Sequence, residues 1–227
     1  MQKHSPFPLL VALVLATAFS AAGCGSTAGK SSQGTTQGST GGSTIAAAGE
    51  RVEVGDTEAL VWGEGDYGAV MAHGAAYDAA SWEEQAQEIS GSGIVALAPE
   101  DASPENLLAS IEYLKEERGV QDVALIGASA GGSAVLRAAS EGPDAADQLI
   151  LLSATGDVTR LGEEPKLFVA SEGEGIAEEV RRMAEEAPGD QNEVFILPVD
   201  AHAQAIFRAG EGDRLMQIIL ERLEERG

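Results

Sequence analysis

Cysteine is nearly absent from this chain. Cys24 is the only one in 227 residues, which excludes an intramolecular disulfide. Basic residues are scarce as well: 14 Lys and Arg stand against 37 Asp and Glu, for a formal net charge of -23. A surface of that sign repels phosphate backbones, so nucleic-acid binding is not expected, nor is a polybasic hold on a membrane surface. The plainest use of such a charge is solubility. Histidine is limited to His4, His73 and His202, too few and too scattered for a zinc site. No metal and no other cofactor is expected. The apolar stretch of residues 7–19 falls short of the roughly 20 residues that span a bilayer. No internal repeat is present.

What the N-terminus does contain is a targeting pattern. Lys3 and His4 give a short polar start, the apolar stretch follows, and the small residues Ser20, Ala21, Ala22 and Gly23 lead into Cys24. This segment resembles the lipobox of bacterial lipoproteins, with Ala21 in place of the usual leucine. The resemblance implies that residues 1–23 are a lipoprotein signal peptide and that Cys24 becomes a lipidated N-terminus. It places the mature protein outside the cytoplasm, attached to the cell membrane. An ordinary secretory signal with a spectator cysteine is the alternative. Residues 24–49 are then the cysteine and a Gly, Ser and Thr tether, whose composition cannot bury enough surface to offset its ordering entropy.

Residues 50–227 read as one domain, large enough for a proper core. Apolar runs suited to strands alternate with stripes of helical period. Strands are expected at residues 51–54, 59–62, 69–72, 94–98, 123–126, 149–152, 167–170 and 194–197. Helices are expected at residues 81–89, after Ser103-Pro104, after Gly131, at 176–187 and at 213–223. Ser81 and Glu84 have the spacing of a capping box. The pattern predicts an α/β fold, with a mostly parallel central sheet of about eight strands and helices on both faces.

One stretch points to chemistry. Residues 123–126 read as a buried strand, and Gly127, Ala128, Ser129, Ala130 and Gly131 then lead into a helix. Strand, G-x-S-x-G and helix in that order make a sharp turn that lifts a serine hydroxyl out of the sheet. Small residues are needed at Gly127 and Gly131, where a Cβ would collide with the neighbouring strand or helix. Five residues alone are met by chance in a glycine-rich chain, so partners decide. A serine nucleophile needs a histidine base and an acid that orients it. Only His202 has the order serine, acid, histidine. Acid candidates after strand ends are Glu174, Glu172 and Asp157.

At four places these residues resemble the α/β-hydrolase superfamily, in particular small carboxylesterases and dienelactone-hydrolase-like enzymes. Gly127 to Gly131 is similar to the nucleophile elbow. Met71, Ala72, His73, Gly74 and Ala75 resemble the His-Gly loop after the third strand. Residues 165–174 resemble the strand and turn that present the acid, and Val199 to His202 resemble the histidine loop. The resemblance implies Ser129 as nucleophile, His202 as base, Glu174 as acid where aspartate is commoner, and the Ala75 and Ala130 amides as oxyanion donors. His73 is then structural to its loop. A carboxylic ester hydrolase acting on small neutral esters is the expected function. Thioester hydrolysis, acyl transfer or perhydrolysis with the same residues stays open, as does a hydrolase-fold binding protein without activity. Residues 153–166 are too short for a helical cap, so no cap domain is expected. Nothing in the sequence sets the oligomeric state.

Overall fold

The computed structural model describes residues 48–142 and 144–225. The expected signal peptide, Cys24 and nearly all of the tether lie outside the described residues. Eight strands form one sheet: β1 (Glu50–Val54), β2 (Thr57–Trp62), β3 (Tyr67–Ala72), β4 (Val95–Pro99), β5 (Asp122–Ala128), β6 (Gln148–Leu152), β7 (Lys166–Ser171) and β8 (Asn192–Leu197). Their order is β1-β2-β4-β3-β5-β6-β7-β8. β2 runs antiparallel to β1 and β4, and every other pair is parallel. Gly55, at φ +57, opens the two-residue turn of the β1–β2 hairpin, a conformation that glycine enters without steric cost.

Strands β3, β4, β6 and β7 are buried along their whole length. Their unbroken apolar runs follow from helices covering both faces of the sheet. Val70, Leu97, Leu125, Leu151 and Phe168 face one layer, made by α2 (Pro104–Glu117), α3 (Ala130–Glu141) and α4 (Ala177–Glu186). Met71, Ala98, Ile126, Ile150 and Val169 face the other, made by α1 (Glu83–Gly91) and α5 (Gly212–Glu225). Burying one such Leu, Ile, Val or Phe contributes about 1.5–3 kcal/mol. The edge strands differ. β1 presents Glu50, Arg51 and Glu53, and β8 is only partly buried, with Glu193 exposed. Charges on an edge discourage pairing with another chain.

One local expectation is corrected. Ser81 and Glu84 do not form a capping box. The Asp78 carboxylate accepts the Ser81 N–H at 3.0 Å and starts a 3₁₀ turn (Ala79–Trp82) that runs directly into α1. Ser81 lies inside that turn and donates its hydroxyl to Asp78 O at 2.5 Å. An aspartate in extended conformation three residues upstream is itself a strong cap, and it takes the role first.

The strand order places the site. From β3 the chain crosses to β4 on one side, and from β4 it crosses back to β5 on the other side of β3. The helices that follow β3 and β5 therefore leave toward opposite faces. A crevice is left at the carboxyl ends of these two neighbouring strands, where open α/β sheets bind ligands.

Candidate active site

Ser129 stands at that crevice, between the end of β5 and the first residue of α3. Its backbone is held at φ 52, ψ −115. A non-glycine residue there stores about 1–3 kcal/mol of strain, which the surroundings must offset. They do so by close packing that only glycines permit. A Cβ on Gly127 would lie 2.5 Å from Gly132 Cα, and one on Gly131 would lie 2.3 Å from Ala72 O. A third glycine belongs to the same device: a Cβ on Gly132 would lie 2.4 Å from Ala154 Cβ. The elbow is thus wedged between β3 and the loop after β6. Ser129 N–H donates to Leu152 O at 2.9 Å, which ties it to the end of β6.

The chain brings Ser129, His202 and Glu174 into one hydrogen-bonded line, although 73 residues separate the serine from the histidine. Ser129 Oγ lies 2.8 Å from His202 Nε2, and His202 Nδ1 lies 2.5 Å from Glu174 Oε2. Because a carboxylate only accepts, the proton of that pair sits on Nδ1, which leaves Nε2 free to accept from the serine. The His202 side chain is 53% exposed and the Glu174 side chain 6%, so the imidazole faces solvent while the carboxylate beside it is buried.

Glu174 is fixed by its own turn. It ends a short 3₁₀ turn (Glu172–Glu174) after β7, and its Oε1 reaches back to the Ser171 N–H at 2.5 Å in a capping box. The same oxygen accepts from Ser153 Oγ at 2.8 Å. Ser153 Oγ in turn accepts the Ala203 N–H at 2.9 Å, which joins Glu174 to the residue after His202. Gly173 lets the two loops touch: a Cβ there would lie 2.6 Å from Asp200 Oδ1. The other acid candidates stand elsewhere. Glu172 is exposed, and Asp157 spends Oδ1 on the Thr159 N–H and hydroxyl at 2.9 and 2.7 Å. Those two bonds also hold the Asp157 carboxyl below its ordinary pKa.

Ala75 follows β3 and Ala130 opens α3. Both are exposed, and neither N–H has a hydrogen-bond partner among the described residues. The first N–H groups of a helix are unpaired by construction, and the positive dipole end adds to their pull on an anion. Both ring nitrogens of His73 are engaged by backbone oxygens, at 3.0 Å from Gly74 O and 3.1 Å from Glu100 O. Two residues of this network, Ser153 and Ser171, carry no signal that their sequence context makes visible. Among the described residues no group of three or more His, Cys, Asp or Glu side chains could hold a metal ion.

No family model matches the chain, and no curated protein matches it. Solved structures do. The chain is similar to a dienelactone hydrolase from Anabaena variabilis, at 17% identity over 78% of this chain and 96% of that one, with a TM-score of 0.63. It is similar to a monoacylglycerol lipase from Paleococcus ferrophilus, at 16% identity over 76% and 98% of the two chains, again with a TM-score of 0.63. A thermophilic esterase from Thermogutta terrifontis aligns at 16% identity over 78% and 98%, with a TM-score of 0.59. These likenesses and the strand order give the chain the α/β-hydrolase fold.

Proposed function

We propose that this protein is a serine hydrolase that cleaves small neutral carboxylic esters through an acyl-enzyme, held outside the cytoplasm by a lipid on Cys24. The line from Ser129 Oγ through His202 to Glu174 carries the catalytic part of this reading. Ser129 Oγ attacks the ester carbonyl while His202 Nε2 takes its proton. The imidazolium is held by Glu174. The carbonyl oxygen becomes an oxyanion against the Ala75 and Ala130 N–H groups, and one such donor is typically worth about 3–4 kcal/mol of barrier. Collapse breaks the bond to the alcohol, which leaves with the proton from His202. Water then attacks the acyl-enzyme with His202 as base again, and Ser129 is regenerated. Every proton and electron pair in this cycle is supplied by the ester, water and these side chains.

The name of the first relative above, and those of the lipase and esterase, support an ester as substrate without choosing one. The sequence before residue 48 supports the anchor, with the membrane as its partner. A panel of aryl and alkyl esters tests the activity, with Ser129→Ala as control. Turnover that depends on Ser129 supports the reading; a panel untouched by wild type, or turned over equally by Ser129→Ala, ends it. Mass spectrometry of membrane-extracted protein tests the anchor. A diacylglyceryl-modified Cys24 at the N-terminus is expected, and an unmodified N-terminus beyond Cys24 in the soluble fraction refutes it.

A further inference from the structure

Gln204 lies two residues beyond His202, and its side chain is not among the reacting groups. It is 6% exposed. Its Oε1 accepts the Gly74 N–H at 2.8 Å, across 130 residues of sequence. Its Nε2 donates to Ser81 Oγ at 2.9 Å, and Ser81 is itself tied to Asp78 in the turn that leads into α1. A buried amide with both ends bonded is a fixed strut. It runs from the histidine loop to the loop after β3.

The bond it makes there has a directional consequence. Gly74 contributes to two peptide groups. Gln204 holds the first by its N–H. The second is held by its oxygen: Gly74 O accepts from Tyr77 N–H at 3.0 Å and faces His73 Nδ1 at 3.0 Å. In a trans peptide the C=O and the following N–H point in opposite directions. Fixing Gly74 O toward Tyr77 and His73 therefore turns the Ala75 N–H away from them. Gly74 itself has no N–H left to offer, while that of Ala75 has no partner and Ala75 is exposed. Nothing else among the described hydrogen bonds holds the Gly74 N–H. Without Gln204 the loop would keep its oxygen contacts but lose the restraint on the preceding peptide.

We propose that Gln204 is a positioning residue that steadies the oxyanion loop: by taking the Gly74 N–H it fixes the peptide just before the one that carries the Ala75 N–H, and braces that loop against the loop that carries His202. This rests on the serine hydrolase reading above. The strut explains how two loops from distant strands stay in register as charge moves from Ser129 to the substrate oxygen.

The test uses the full chain with 4-nitrophenyl acetate and a short-chain trifluoromethyl ketone, whose hemiketal with Ser129 carries the oxyanion. Gln204→Leu should lower kcat by about 10- to 100-fold, below the full loss of an oxyanion donor, with KM within about threefold. The inhibition constant for the ketone should rise by the same factor as kcat/KM falls. The pH midpoint of kcat/KM should not move, because His202 and Glu174 keep their bond. An unchanged kcat and inhibition constant in Gln204→Leu overturns the proposal. So does a loss accompanied by a displaced pH midpoint, because the damage then lies at His202. If Gln204→Leu fails to fold, Ser81→Ala cuts only the far end of the strut and should give a several-fold loss with the same kcat-against-KM split; no loss overturns the proposal. If wild type turns over no ester, the functional reading has failed on its own account. Hydrogen exchange at the Gly74 amide then decides the strut: slow in wild type and faster in Gln204→Leu supports it, equal rates refute it.

Discussion

Ser153 joins Glu174 to the loop of His202 through one oxygen. It donates to Glu174 Oε1 and accepts from the Ala203 N–H, at 2.8 and 2.9 Å. Three non-glycine residues of the described chain have positive φ, and they are Ser129, Ser153 and Ala203, all in this one network. Strain gathered in this way is the mark of a site that the rest of the fold holds in place. Ser153→Ala leaves the Ala203 N–H buried and unpaired, which should cost about 1–3 kcal/mol in urea unfolding. Ser153→Gly makes the same loss but relieves the φ of 49, so it should be the more stable of the two variants. Under the proposed mechanism Glu174→Gln should lower kcat by about 10³–10⁴-fold, since an amide no longer fixes the imidazole tautomer. Glu174→Ala should cost far more activity than Asp157→Ala; the reverse, with folding intact, contradicts the assignment. The meeting of Ser129, His202 and Glu174 was legible because each follows an apolar strand in the order that serine, acid and histidine take. Ser153 and Gln204 were not, since a serine after a strand and a glutamine in a loop are ordinary until tertiary folding brings them to Glu174 and Gly74.

The first turn of α3 is the most constrained element. Gly131→Ala would drive a Cβ to 2.3 Å from Ala72 O, a backbone atom that has no rotamer by which to yield. Overpacking of this kind costs about 1–3 kcal/mol, and activity should fall with it because Ser129 is the preceding turn. Thermal unfolding and turnover of the same variant check both. At the opposite end of the sheet Asp147, just before β6, accepts from the Tyr67 hydroxyl at 2.7 Å. Burial raises the Asp147 carboxyl above its ordinary pKa, against the pull of that bond. The folded state thus holds this proton more tightly than the unfolded chain. Its contribution to stability is full below the ordinary aspartate pKa of about 3.9 and is lost as pH rises through the folded value. Asp147→Asn removes this loss. Its unfolding free energy should gain on wild type as pH rises across that window, and a constant gap contradicts the sign. The inner strands were legible as unbroken apolar runs, because both faces are covered. The start of α1 was misread, because Asp78 rather than Ser81 supplies the cap.

The molecule as a whole combines a strong negative charge with a crevice that, among the described residues, no cap between β6 and β7 covers. Among the described residues, 153–165 between β6 and β7 contain no helix, so no cap is inserted there. An open site leaves much of a long acyl chain in water, and each such methylene forfeits about 0.8 kcal/mol of binding. A rate series from acetyl to palmitoyl esters should peak at short chains, with no jump when emulsion forms. A net charge of -23 should also repel anionic esters. Raising salt shortens the screening length from about 30 Å at 0.01 M to about 10 Å at 0.1 M. The kcat/KM of a dicarboxylate monoester should rise across that range while that of a neutral ester stays level. The crevice is built wholly from loops at the carboxyl ends of β3, β5, β6, β7 and β8, which leaves the amino-end turns without chemical duty. Gly119, between α2 and β5, is exposed at φ +72 with no atom within 4 Å of an added Cβ. A fluorophore or a whole guest domain spliced into that turn should leave any turnover at the crevice intact, so the protein can be fused through its underside while the crevice face stays free.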